Sequence, residues 1–276
     1  MSIITINRGS YSRGKEVAER LASKLGYECL SRDILLDASD EFNIPEIKLV
    51  RALHDPATVL DRFQHGKDRY ISYLHSALLQ KATHDNIVYH GLAGQFFLRD
   101  IPHVLKVRII ADMETRVVEE MRRENIPEET ARYILQKDDD ERRKWGLQVY
   151  GMDTWDSRLY DIVLCIGTLT VDDAVEFLSE VVQKPAFRTT PESQRLVENQ
   201  ALAARVVANL ASAFPGTRVA ARDGVVFIIA MSQARDGKNE ARITEIALSV
   251  DGVREVVFDP APSEAQTGHV NPFHNL

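Results

Sequence analysis

The chain's opening constrains its fold most. Residues 2–7, SIITIN, are an apolar, β-branched run, as in a strand buried on both faces. A polar turn follows. From Lys15 the apolar positions Val17, Leu21, Ala22 and Leu25 then recur at helical spacing. Gly26 stands where a helix commonly ends, because glycine adopts the left-handed terminal conformation at least cost. Strand, turn and helix predict a βα unit.

The turn is the segment that points to chemistry. Gly9, Ser10, Tyr11, Ser12, Arg13, Gly14 and Lys15 fit G-x-x-x-x-G-K. Such a loop aims backbone N–H groups at phosphate oxygens, the helix N-terminus adds its dipole, and the lysine reaches the β and γ phosphates. Position 16 departs from the pattern. Glu16 stands where a Ser or Thr hydroxyl usually helps hold Mg²⁺, and its carboxylate either meets the metal through water or repels the nucleotide. The plainer alternative is a βα turn with no ligand. The setting between a first strand and a first helix favours phosphate.

Further along, residues 33–83 read as mostly helical with a break near His54, Asp55 and Pro56. Residues 87–90, 104–111 and 159–166 are three more strand candidates, with helices at about 112–124, from Pro127 into the charged stretch 137–144, and up to Gln183, where Thr170 or Asp172 is the cap. Strands separated by helices predict an α/β fold, a parallel sheet with helices on both faces. Residues 184–194 are rich in Pro, Thr and Ser and mark the end of this first domain, 1–184. Residues 195–259 have another pattern: a helix at 195–214, strands at 217–221 and 225–231 around Arg222, Asp223 and Gly224, a helix at 238–250 and a strand at 253–258. This is an α-β-β-α-β domain whose hairpin is signalled by Asp-Gly. Residues 260–276 read as a mobile tail.

Composition removes several classes. At 44% hydrophobic the chain can build a core, so general disorder is excluded. Lys plus Arg is 34 against 41 for Asp plus Glu, a net charge of −7, which argues against a broad nucleic-acid surface but leaves room for a small phosphate ligand. No apolar stretch is long enough to span a bilayer, no secretion signal opens the chain, and the two cysteines, Cys29 and Cys165, fit a reducing compartment. The expectation is a cytoplasmic protein. His54, His65, His75, His84 and His90 form no tight ligand set for zinc, and Ser10 and Ser12 lack the context of a hydrolase nucleophile.

The opening resembles the cytidylate-kinase-like family, P-loop relatives of the nucleoside monophosphate kinases. The likeness rests on Ile3 to Arg8, on Ser12, Arg13, Gly14, Lys15, Glu16 and Ala18, and on Lys24, Leu25, Gly26 and Tyr27. It continues at Asn86 to Gly91, Val104 to Ala111 with Glu114 and Arg116, Asp139 with Arg142, Gly151 with Trp155 and Asp156, and Leu159 to Asp161. Glu16 is common in that family. The resemblance implies ATP and Mg²⁺, a phosphate cation at Lys15, and Arg116, Arg142 and Arg143 at the nucleotide edge and closing lid. It also implies Arg8 within reach of acceptor or phosphate, and Asp139 and Asp161 orienting arginines or a water-bound metal. The acceptor nucleotide would lie near Arg32, Arg51, Arg62, Lys67 and Arg69. There are departures. Leu92 follows Gly91 where the family has arginine, and Tyr11 and Arg13 stand where it favours glycine. Residues 122–144 hold seven bases and seven acids, so each arginine there reads equally as part of a solvated helix face.

Residues 195–259 resemble a BON domain through Ala201 to Leu210, Arg222 to Val226, and Ile246, Val250, Gly252, Val253 and Val256. That likeness implies a module that binds a protein or small ligand. The alternative is a small domain that only packs or dimerises. The expectation for the whole chain is ATP-dependent phosphoryl transfer to a nucleoside monophosphate, CMP or dCMP first. The alternatives are a non-catalytic nucleotide sensor and a kinase for another small acceptor.

Overall fold

The computed structural model describes residues 2–10, 12–31, 33–44, 49, 64–91, 93–229 and 237–258. Tyr11, Arg32, Arg51, His54, Arg62, Leu92, the side chains of His65 and Lys67, and the tail 260–276 lie outside the described residues. Two compact units divide the chain, Met1–Glu198 and Asn199–Leu276.

The first unit is built on β1 (Ile3–Arg8), which is buried nearly throughout. A polar turn leads to α1 (Gly14–Leu25). Gly26 at φ 68° closes that helix, and the Tyr27 N–H returns to the Ala22 carbonyl at 2.9 Å, the paired bonds of a Schellman ending. Then follow β2 (Glu28–Leu30), α2 (Asp33–Glu41), α3 (Gln64–Ala82), β3 (Ile87–Tyr89), α4 (Gly94–Phe97), β4 (Val104–Ala111), α5 (Met113–Glu124), α6 (Glu128–Tyr150), β5 (Ile162–Ile166) and α7 (Val171–Val181). The five strands are all parallel in the order β2-β3-β1-β4-β5, so β1 is central. Its alternate side chains serve two faces. Ile4 and Ile6 join Val17, Leu21, Val175 and Leu178 of α1 and α7 in one core. Thr5 and Asn7 point the other way, where a Cβ on Gly94 would sit 2.0 Å from the Thr5 hydroxyl and Asn7 bonds to Gln95.

The α/β class with helices on both faces is as the sequence predicts. Two strands differ. β2 has no counterpart in the sequence reading, because it is three residues long, on the sheet edge, and only Leu30 is buried. β5 starts at Ile162, since Asp156 caps a short 3₁₀ turn over Ser157–Leu159 instead. At α7 the cap is Thr170, with Asp173 completing a capping box.

Residues 184–194 fold with the first unit. The Thr189 hydroxyl bonds to Asp85, and Gln194 Nε2 donates to the Thr83 carbonyl at 2.8 Å. The division between units falls inside α8 (Pro191–Leu210). The second unit continues with β6 (Arg218–Arg222), β7 (Val225–Ile229), α9 (Gly237–Leu248) and β8 (Glu255–Phe258). β6 and β7 form an antiparallel hairpin, and β8 lies parallel to β7. Asp223 at φ 49° and Gly224 at φ 81° make the two-residue turn, both with the positive φ of a type I′ connection. Val206, Leu210, Val226, Ile228, Ile243 and Ala247 form its core.

Because Ile4 is fully buried in the central strand, Ile4→Ala should destabilise the first unit by about 2–5 kcal/mol. Denaturant unfolding checks this, and a loss under 1 kcal/mol would contradict the central placement.

Candidate functional site

The loop from β1 to α1 is held at both ends. The Gly9 N–H donates to the Ile109 carbonyl of β4 at 3.2 Å, and the Ser12 N–H donates to the Gly9 carbonyl at 3.3 Å. The buried Ser12 hydroxyl lies 2.9 Å from the Gly9 carbonyl and 3.0 Å from that of Ile109. Arg13 takes φ 60° immediately before the helix. Gly14 is required by close approach, because a Cβ there would come within 2.6 Å of Arg8 Cβ. As at any helix start, the N–H groups of Gly14, Lys15 and Glu16 have no acceptor within the helix, and they sit at the C-terminal edge of a parallel sheet, where ligands of such folds bind.

Behind the loop lies a buried ion pair. Arg116 of α5 meets Asp139 of α6 through two bonds of 2.8 and 3.0 Å, and its Nε donates to the Ser10 carbonyl at 2.7 Å. Both partners are more than nine-tenths buried. α5 and α6 are brought together by Val117, Ala131 and Leu135, and on their outer side Arg132 bridges Glu114 and Glu128. The Ser10 hydroxyl donates to Asp138 at 3.1 Å. One turn on, Arg142 Nη1 donates to the Arg8 carbonyl at 2.8 Å. α6 therefore holds the strand end at Arg8 and the loop at Ser10, and through Arg116 it also braces the Ser10 carbonyl. Burial pulls the Arg142 guanidinium below the usual arginine value.

Beside these groups a narrow cleft is lined by Asn7, Arg8, Gln95, Arg108, Arg142 and Trp155, among others. Arg108 is buried and donates from Nη1 to Asn7 Oδ1 at 3.0 Å and to the Thr154 carbonyl at 2.5 Å. Trp155 is about half exposed at 51%. Its ring lies 4.6 Å from the Arg143 guanidinium, which is itself paired with Asp153 at 2.6 Å. Nearer β2 and β3, the buried His90 feels the charges of Arg8, Lys15, Glu19 and Asp33. Burial holds its imidazole at about 4, with the cations Arg8 and Lys15 adding to that effect.

The predicted residues thus separate. Gly9, Ser10, Ser12, Arg13, Gly14, Arg8, Arg116, Asp139 and Arg142 converge on the loop and its flank. Arg116 lies under the loop with every guanidinium nitrogen bonded. Lys15 stands on the exposed side of α1, 3.6 Å from Glu19. Glu16 is bound by Arg13 at 2.8 Å and Arg20 at 3.3 Å. Asp161 lies apart from these residues. It accepts from the Lys106 N–H at 2.8 Å just before β5 begins, at the N-terminal end of that strand, and so lies away from the sheet edge that carries the loop. Asn7, Gln95, Arg108 and Asp33 were not singled out from sequence. Asn7 and Arg108 had a usable signal, since each is a polar residue at a buried position of a mostly apolar strand.

Two consequences can be measured. Arg116→Ala leaves a buried carboxylate unpaired and should cost about 3–5 kcal/mol. Arg116→Leu combined with Asp139→Leu should cost clearly less than the sum of the two single changes, and additive losses in denaturant melts would show that the pair is not coupled. For pH, burial holds both His90 and His75 at about 4, so each is neutral in the native state below the ordinary histidine value of about 6.5. The unfolded chain then binds protons that the native chain does not. Stability should fall as pH drops from about 6.5 to 4, by at most ~3 kcal/mol per imidazole, and level off below that. His75→Phe keeps the stacking on Phe97 and should flatten the slope between pH 7 and 4.5; an unchanged slope would remove His75 from the account.

Comparison with known proteins places the chain in a family. Residues 3–168 match the cytidylate kinase-like family. Among solved structures, an uncharacterized protein from Eubacterium ventriosum is 24% identical with a TM-score of 0.51, covering 67% of this chain and 99% of that one. A shikimate kinase from Acinetobacter baumannii in complex with shikimate is 14% identical with a TM-score of 0.39, over 66% of this chain and 93% of that one. No curated protein matches the chain. With the family match spanning more than half of its residues, including the loop, the α5–α6 ion pair and the cleft, the chain belongs to the cytidylate kinase-like family.

Proposed function

We propose that the first unit transfers the terminal phosphoryl group of ATP to a nucleoside monophosphate, with CMP or dCMP as the first candidates. The observation that carries this reading is the placement of a glycine-containing loop and a helix N-terminus directly beside a cleft lined by Arg8, Arg108 and Arg142. Phosphoryl transfer needs cations and backbone donors around the transferring group and an aligned acceptor, with little covalent help from the protein. In this reading the N–H groups at the start of α1 receive the ATP phosphates, and Lys15 leaves Glu19 to meet them. Arg116 and Asp139 keep the loop in shape. Arg8 and Arg142 hold the acceptor's phosphate, and the cleft keeps water from competing for the phosphoryl group.

Mg²⁺ accompanies ATP in such reactions and neutralises its phosphates. Position 16 does not fit it as a ligand, since the Glu16 carboxylate is engaged by two guanidinium groups, and no group of three or more metal-ligating side chains occurs among the described residues. That same engagement of Glu16 favours a second reading, a nucleotide sensor without turnover. We further propose that the second unit is a BON-like binding or regulatory module, and that the protein works in the cytoplasm. Among the described residues no helix is long and apolar enough to cross a membrane.

Phosphate transfer from labelled ATP to a panel of nucleoside monophosphates tests the main reading, with Lys15→Ala as control. Transfer to CMP or dCMP that falls about 100-fold or more in the variant is expected. Tight ATP binding with no transfer to any acceptor would favour the sensor, and ATP affinity unchanged by Lys15→Ala would remove the phosphate-loop assignment.

A further inference from the structure

One wall of the cleft is a hydrogen-bond chain whose polarity is fixed from one end. A guanidinium can only donate. Arg108 Nη1 donates to Asn7 Oδ1 at 3.0 Å, so Asn7 turns its Nδ2 away from the arginine. That nitrogen donates to Gln95 Oε1 at 3.4 Å. The Gln95 amide is thereby oriented as well, which leaves its Nε2 as a donor in a residue that lines the cleft. The nitrogen is buried and has no acceptor among the described residues, in a residue only 2% exposed. A buried donor left without an acceptor is unfavourable, and it is held in that state by Arg108, which the Thr154 carbonyl and the Tyr160 hydroxyl also keep in place. The fold therefore holds a neutral, unpartnered donor of fixed polarity in a residue that lines the cleft, beside arginines and a half-exposed tryptophan.

We propose that Gln95 is a specificity-determining residue of the acceptor site, its amide nitrogen donating to the ring-nitrogen edge of a pyrimidine nucleotide, with Arg108 and Asn7 as the positioning residues that set its polarity. The inference rests on the nucleoside-monophosphate reading above and sharpens it. The arginines satisfy an anionic group, the exposed face of Trp155 offers a flat apolar surface to a planar ring, and the neutral amide suits a neutral acceptor. Cytosine presents an acceptor at its ring nitrogen N3, whereas uracil presents an N–H there. A donor that cannot turn around meets the first and opposes the second.

Binding of CMP and UMP to the full-length protein, measured by calorimetry, tests this, with folding of each variant checked by thermal melting. The wild type should bind CMP about tenfold or more tightly than UMP. In Asn7→Asp the new carboxylate can only accept, so the Gln95 amide turns its nitrogen towards it and its oxygen towards the ligand. The order of preference should then invert, an effect that loss of packing alone would not produce. Gln95→Glu leaves the Asn7–Arg108 bond in place and also presents an acceptor, so it should abolish or invert the preference and decides the matter if Asn7→Asp does not fold. A wild type that binds both nucleotides equally, or a CMP preference that survives the substitutions, would overturn the inference while leaving the nucleotide reading intact. Binding of neither nucleotide by the wild type would overturn both.

Discussion

The arrangement of the site depends on one buried ion pair. Arg116 and Asp139 come from two different helices and meet below the loop, and the third guanidinium nitrogen holds the Ser10 carbonyl. Buried pairs contribute little net stability when compared with apolar residues of the same size, but they penalise any arrangement that separates them. Here that penalty fixes where α5 and α6 stand relative to β1. The Ser10–Asp138 and Arg142–Arg8 bonds then follow from the same helix face.

A similar economy governs the sheet. β1 and β4 are apolar enough to be buried on both sides, which is what a central parallel strand needs. Into these runs the chain inserts Asn7 and Arg108, opposite one another in the β1–β4 register. A guanidinium in such a place has to be satisfied, and Asn7, Thr154 and Tyr160 do so. The bonds that solve the burial problem also set the polarity of the cleft wall. The two roles cannot be separated, because each bond consumed by the first determines which atom is left for the second.

The sequence made much of the architecture legible where local chemistry dominates. The β1 run, the helical stripe of α1, Gly26 as a stop, Thr170 as a cap and the Asp223–Gly224 turn each report a preference that acts within a few residues. They appear in the structure as such. β2 was not legible because a three-residue edge strand has no periodicity. Its omission also hid Asp33, which follows it. Asp161 was read as part of the site because it belongs to a family motif, yet it acts at the opposite end of β5 by bonding to Lys106.

What the sequence alone determined is the class of fold and the position of the loop, since burial patterns, caps and turn residues are encoded one segment at a time. Which arginines line the cleft and which brace the loop was decided only by tertiary structure. Arg108, Arg116, Arg142 and Arg143 are chemically identical in the sequence. They differ because the sheet order and the α5–α6 packing give each a different set of acceptors: Asn7 and Thr154, Asp139 and Ser10, Arg8, and Asp153. Partners distant in sequence are set by how the elements pack, and no local pattern records them.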